Sequence, residues 1–275
     1  MDKICIDRLE VFAYHGVLDS EKASGQNFYV SAQLYLDLAP AGDSDDLALT
    51  VNYAEVCSAI VDTMQNRRYD LIETCAVKVG EHILHSFPLV RMIKLRIDKP
   101  SAPIPHKFDS FSAEVMRKWS VAYLGLGSNI GNGEGNLDRA IQQIQNNNLR
   151  ICKVSPYYTT NPVSDIVQND YTNAAVKIET TLSPLQLMEH LLAVESRLGR
   201  VREERWGPRV IDIDLLMYEN VISDDSRVII PHPLMHKRMF VLQPLSDIAP
   251  HAVHPRYMKT VEEMMSELAT ENKKE

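Results

Sequence analysis

Arg205-Trp206-Gly207-Pro208-Arg209-Val210-Ile211-Asp212-Ile213-Asp214-Leu215-Leu216 passes from an arginine-rich loop into a β-branched, apolar segment that reads as a strand. Side chains alternate along a strand, so Asp212 and Asp214 project from one face, roughly 7 Å apart. Ile211 and Ile213 point the other way, into a core. Two carboxylates so placed repel unless a cation sits between them. Arg200, Arg202, Arg205 and Arg209 supply a basic strip beside them. Carboxylates that hold hard cations, next to arginines that hold phosphate oxygens, suit a magnesium nucleotide. The residues alone leave a second reading open, a solvent-facing strand edge whose acids pair with the neighbouring arginines.

Working outward, 275 residues exceed one average domain and suit two, and a hydrophobic fraction of 45% can fill two cores. No apolar run reaches the roughly 18 residues of a membrane span, and no basic-then-apolar leader opens the chain. Cys5, Cys57, Cys75 and Cys152 lack Cys-x-x-Cys spacing and fit reduced thiols better than disulfides or zinc. Residues 1–119 carry 13 basic and 17 acidic side chains and the remainder 16 and 20, so neither half is a nucleic-acid arm. A cytoplasmic enzyme without membrane or nucleic-acid partners is expected.

The first half alternates in Lys3–Leu9 and again in Asn27–Leu38, where Phe28, Val30, Ala32, Leu34, Leu36 and Leu38 share a face. Ala39-Pro40-Ala41-Gly42 ends that strand. Helical spacing follows from about Tyr53 and from about Leu71, then strands at Met92–Asp98 and Ser110–Trp119 around a Pro-rich loop. The order is ββααββ, an α+β layer fold. A second unit starts at Ser120 with a strand running into Gly-Ser-Asn, a helix from about Gly135 to Asn146, and strands near Ile151–Tyr158 and Ala174–Ile178. A helix opened by Ser183-Pro184, the Asp-x-Asp strand and a tail helix from Thr260 to Asn272 complete it. The expected domains are 1–119 and 120–275.

Gly125, Gly127 and Gly131 only mimic a dinucleotide fingerprint, because Ile130 stands where the third glycine belongs, and no P-loop motif exists. The Gly-Ser-Asn turn either offers backbone N–H groups to a ligand or simply reverses the chain. His82 with His85, or His232 with His236, lack cysteines to complete a zinc site and read as packing or surface residues. Pro231-His232-Pro233 favours a positioned contact for His232. In the first half Glu21, Tyr53, Glu73 and Lys99 are the polar candidates, although each alone reads as an ordinary cap or solvated side chain.

The motifs together carry a resemblance. Ala122–Asn129, Tyr171-Thr172-Asn173-Ala174-Ala175, Arg205–Arg209 with the Asp-x-Asp strand, Pro231-His232-Pro233 and Phe240 resemble 6-hydroxymethyl-7,8-dihydropterin pyrophosphokinase. Ala13-Tyr14-His15-Gly16-Val17, Gly25-Gln26, Val51-Asn52-Tyr53, Leu71-Ile72-Glu73 and Lys99–Pro105 resemble dihydroneopterin aldolase. The resemblance implies a bifunctional folate-biosynthesis fusion, a tunnelling-fold domain followed by a ferredoxin-like α+β domain. With 275 residues, no following dihydropteroate synthase barrel is expected.

For the second domain the resemblance implies transfer of a pyrophosphoryl group from ATP to a pterin hydroxymethyl, leaving AMP. Asp212 and Asp214 would hold two Mg²⁺ ions. Arg200 and Arg209 would act catalytically and, with Arg238, clamp phosphates; Arg202, His232 and Glu195 would complete the nucleotide set. The pterin would stack between Trp206 or Tyr171 and Phe240, with Asn173 and Thr160 bonding its edge. For the first domain it implies cofactor-free retro-aldol cleavage of dihydroneopterin, releasing glycolaldehyde. Lys99 would be the acid/base, Tyr53 the proton relay, Glu73 the grip on the pterin edge, and Glu21 a contributor from the loop after the first strand. The family implies a ring-forming homo-oligomer. Two rivals stand beside it: a Schiff-base aldolase using Lys99, and a first domain that only binds pterin and oligomerises.

Overall fold

The protein, seen in a computed structural model, is described over residues 1–161, 169–199 and 209–271. It divides into two units, Met1–Trp119 and Ser120–Glu275. In the first, four antiparallel strands lie in sequential order: β1 (Asp2–Ala13), β2 (Gln26–Leu36), β3 (Met92–Lys99) and β4 (Phe111–Lys118). Period-two alternation puts Phe28, Val30, Ala32, Leu34 and Leu36 of β2 on the inner face, each at most 1% exposed. Between β1 and β2 runs α1 (Asp19–Ser24); α2 (Ala39–Ser44), α3 (Tyr53–Gln65) and α4 (Ile72–Ser86) follow β2. The stripes Val56, Ile60, Met64 and Cys75, Val79, Ile83, Leu84 of α3 and α4 join the sheet face in one core. The ββααββ order is thus present, with two short helices added. Ala39–Gly42, expected only to end a strand, opens α2, because Pro40 falls in the first turn where no N–H is needed.

The second unit folds as β5 (Ser120–Ser128), α5 (Gly133–Ile144), β6 (Leu149–Val154), β7 (Tyr158–Thr160), β8 (Tyr171–Thr180), α6 (Pro184–Arg197) and β9 (Asp212–Tyr218). The main sheet runs β6-β8-β5-β9, all antiparallel, which is the ferredoxin-like arrangement, a split βαβ repeated. The hairpins β10 (Ser223–Asp225)–β11 (Val228–Ile230) and β12 (Val253–His254)–β13 (Lys259–Thr260) flank α7 (Met239–Ile248), and α8 (Val261–Glu271) closes the described chain. Alternation again sorts the sides. Leu124, Leu126, Ile213 and Leu215 pack with Leu137 and Leu191 of α5 and α6, whereas Ala175, Leu216 and Met217 pack with Leu242, Leu245 and Val261 of α7 and α8. The single strand expected over Ile151–Tyr158 is two: Ser155-Pro156 interrupts it, and β7 pairs with the other end of β8. The helix α7 was not among the expected elements; it buries Val241, Leu242, Leu245 and Ile248 at helical spacing although Pro244 lies inside it.

Candidate active site

Register builds the second unit's site. Asp212 of β9 lies opposite Gly127 of β5, and Gly127 lies opposite Asn173 of β8. Residues directly opposite share a face, so a carboxylate, a bare backbone and an amide form one row across three strands. Adjacent strands are roughly 4.8 Å apart, which puts the row's ends about 10 Å from each other. The next row is Asp214–Gly125–Ala175. A Cβ on Gly127 would meet the Asn173 Oδ1 at 3.3 Å, so glycine here keeps the floor clear. Above this floor is a cavity of about 550 Å³, lined by Thr160, Tyr171, Asn173, Arg209, Asp212, Asp214, Lys237, Arg238 and Phe240 among others. Its volume suits a small-molecule site.

The cavity has two chemistries. On β8 Asn173 Nδ2 donates to Thr160 Oγ1 at 2.7 Å and Tyr171 stands on the wall, while Arg238 lies over the Phe240 ring, 5.6 Å from its centroid. Beside β9 the Arg209 guanidinium bonds the Asp212 carboxylate. His232 Nε2 is 3.9 Å from Asp214 Oδ2, and its Nδ1 accepts the Leu234 N–H at 3.2 Å, which leaves the ring proton on Nε2. Burial, then the Arg238 charge, lower the His232 pKa to about 4, so the ring is neutral near pH 7. Burial also raises the Tyr171 pKa. Behind β9, Glu195 is 2% exposed, and its Oε1 accepts the Ile213 N–H at 2.7 Å.

In the first unit Glu21 and Lys99, 78 residues apart, form a buried ion pair. Glu21 Oε2 also accepts the Leu18 N–H at 3.1 Å. Burial alone would raise the Glu21 pKa, but the Lys99 hydrogen bond and charge and the neighbouring N–H groups hold it below its ordinary value. Gly16 has φ +148, and a Cβ there would stand 2.3 Å from the Glu21 carboxylate. His15, 1% exposed, accepts the Tyr69 N–H through Nδ1 at 3.2 Å and packs against Phe28 and Tyr69. Burial, then the Lys99 charge, bring its pKa down to about 4. Tyr53, 64% exposed, and Glu73, also exposed, begin α3 and α4, and among the described residues neither bonds to Lys99 or Glu21.

Residues 123–250 match the family 7,8-dihydro-6-hydroxymethylpterin-pyrophosphokinase, and residues 4–116 match dihydroneopterin aldolase. The 2-amino-4-hydroxy-6-hydroxymethyldihydropteridine pyrophosphokinase of Methylorubrum extorquens is 48% identical over 48% of this chain and 84% of its own. The dihydroneopterin aldolase of the same organism is 50% identical over 42% of this chain and 89% of its own. The chain belongs to both families. It is a bifunctional enzyme chain, an aldolase domain followed by a pyrophosphokinase domain, two steps of folate synthesis. The folic acid synthesis protein of Dictyostelium discoideum is similar to it at 32% identity over 96% of this chain, which spans 44% of that relative's length.

Most of the residues expected in the pyrophosphokinase domain come together: Thr160, Tyr171, Asn173, Arg209, Asp212, Asp214, Arg238 and Phe240 line one cavity. Arg200, Arg202 and Trp206 lie outside the described residues. Glu195, expected at the nucleotide, does not line the cavity; it sits behind the Asp-x-Asp strand and holds its backbone. In the aldolase domain Lys99 and Glu21 meet within one chain, with Glu21 on α1 rather than in a loop. Lys237 in the cavity wall and Asn129 in the Gly-Ser-Asn turn were not read as site residues. The two glycines at i and i+2 of β5 were the available signal for the floor. No helix among the described residues is long and apolar enough to cross a membrane.

Proposed function

We propose that the pyrophosphokinase domain moves the pyrophosphoryl group of ATP onto the hydroxymethyl of a reduced pterin, releasing AMP. The row Asp212–Gly127–Asn173 carries this reading, since it holds phosphate chemistry and pterin recognition on one face with a single strand between them. The flat ring stacks between Tyr171 and Phe240, and Asn173 bonds its edge, held by Thr160. Arg209 and Arg238 take phosphate oxygens, and neutral His232 donates from Nε2 at the Asp214 end. Asp212 and Asp214 are hard oxygen donors and fit Mg²⁺. Phosphate oxygens and water would complete the shell of such an ion. Asp212 and Asp214 would hold the ion, which would supply positive charge to offset the charge developing on the transferred group. Asp212→Ala should abolish AMP formation from MgATP and the pterin while the pterin still binds; near-normal turnover would defeat the reading.

In the aldolase domain the substrate is dihydroneopterin. Lys99, acting as the amine, takes the side-chain hydroxyl proton through water as the C–C bond breaks, and the ammonium so formed is held by the Glu21 carboxylate. The bonding electrons pass into the pterin N5=C6 imine, glycolaldehyde leaves, and reprotonation gives the hydroxymethyl product. Tyr53 relays that proton and Glu73 grips the amino-pyrimidinone edge. Their exposure, together with the free edges β1 and β4, supports a ring of subunits that completes the site. Dihydroneopterin and MgATP supplied together should release AMP, and Lys99→Ala should stop that while leaving AMP formation from added hydroxymethyl pterin intact.

A further inference from the structure

The Gly-Ser-Asn turn contains a second device, which rests on the MgATP and pterin reading above. Asn129, 3% exposed, follows the last residue of β5. Its side-chain Oδ1 accepts the Arg209 N–H at 2.7 Å, and its own N–H donates to the Arg209 carbonyl at 3.1 Å. The β5–β9 ladder ends at Gly127–Asp212, so this two-point clamp extends the pairing past the metal carboxylate and fixes the backbone of Arg209. On its other side Asn129 Nδ2 donates to the Asn169 carbonyl at 3.5 Å, and Asn169 Nδ2 donates to the Asn129 carbonyl at 3.4 Å. The β5–β8 ladder ends at Ser128–Thr172, so this pair likewise continues past it, just before the cavity residue Tyr171. Asn136, 4% exposed, holds the turn from behind, donating to Ser128 Oγ and the Ile130 carbonyl at 2.8 Å each.

We infer that Asn129 is a positioning residue that sets Arg209 on the nucleotide side and the start of β8 on the pterin side through separate halves of one amide. Oδ1 serves Arg209 and Nδ2 serves Asn169, so the two functions separate chemically. Aspartate keeps the acceptor for Arg209 and removes the donor to Asn169; alanine removes both.

The test measures steady-state kinetics for each substrate, with Kd values for a non-hydrolysable magnesium–ATP analogue and for 6-hydroxymethylpterin, in the full chain. Asn129→Ala should lower kcat/KM for MgATP by on the order of tenfold or more, as loss of a charge-positioning hydrogen bond does, and weaken both ligands. Asn129→Asp should recover most of the nucleotide affinity while pterin binding stays weakened. Wild-type turnover with both variants indistinguishable from it, or both impaired alike for the two ligands, overturns the inference. A wild type that makes no AMP instead overturns the underlying reading. Melting temperatures identify a variant that fails to fold; the aspartate arm, which keeps the stronger hydrogen bond, then decides.

Discussion

At the scale of single residues, the aldolase site is shaped by what is missing at Gly16. Its φ of +148 disfavours a side chain, and the Glu21 carboxylate occupies the space a Cβ would need. Gly16→Ala should therefore separate Glu21 from Lys99 and cut aldolase turnover on the order of 10²-fold, the worth of a positioned acid/base, with AMP formation unchanged. His15 predicts a pH dependence. Its folded pKa of about 4 lies below the ordinary 6.5, so between these values the unfolded chain binds more protons. Its contribution is fully present above pH 6.5 and is lost as pH falls toward 4. Between pH 7 and pH 5 this amounts to roughly 2 kcal/mol. Urea unfolding at the two pH values should show the loss in the wild type and a flatter response in His15→Phe; equal slopes would remove His15 from the account.

Elements carry the next layer of control. Helix α6 is started by a reciprocal Ser183–Gln186 capping box with Pro184 in the first turn. Three turns on it delivers Glu195 to the Ile213 N–H, between the two aspartates of β9. Placement and ligation can be told apart there. Glu195→Gln retains an acceptor and should keep MgATP kinetics within a few-fold, while Glu195→Ala leaves a buried N–H unpaired at a cost of about 1–3 kcal/mol and should melt earlier. If the glutamine variant loses nucleotide affinity as fully as alanine, the carboxylate itself touches the nucleotide. The starts of α3 and α4 were readable from apolar periodicity and that of α6 from Ser183-Pro184, and each agrees with the tertiary packing, although Leu71 at the N-cap of α4 makes no side-chain cap hydrogen bond. The break between β6 and β7 was not, since Val154 before it and Tyr157 and Tyr158 after it all suit a strand, and only the pairing with opposite ends of β8 shows that Ser155-Pro156 divides it.

For the whole molecule, the first sheet leaves β1 and β4 as edges, and Phe111 and Met116 on β4 are 45% and 54% exposed. Long open edges with apolar side chains invite pairing with another copy. Light scattering should find an oligomer, and Met116→Lys should shift it toward the monomer with loss of aldolase activity but not of AMP formation. A monomeric wild type with full aldolase activity would show that Tyr53 and Glu73 serve Lys99 within one chain.

Local pattern was enough to read the ββααββ order of the first half, the boundary region and the Asp-x-Asp strand, because periodicity and turn residues are written in neighbouring positions. The ferredoxin-like second half and most of the side chains that line the cavity came instead from the resemblance carried by its motifs. Long-range pairing decided the rest. The row Asp212–Gly127–Asn173 exists only through the register of three strands, and a one-residue slip would turn each of those side chains to the opposite face. The Glu21–Lys99 pair, the retreat of Glu195 behind β9 and the double clamp of Asn129 on Arg209 are likewise contacts between segments far apart in the chain, whose meeting depends on packing that no local window contains.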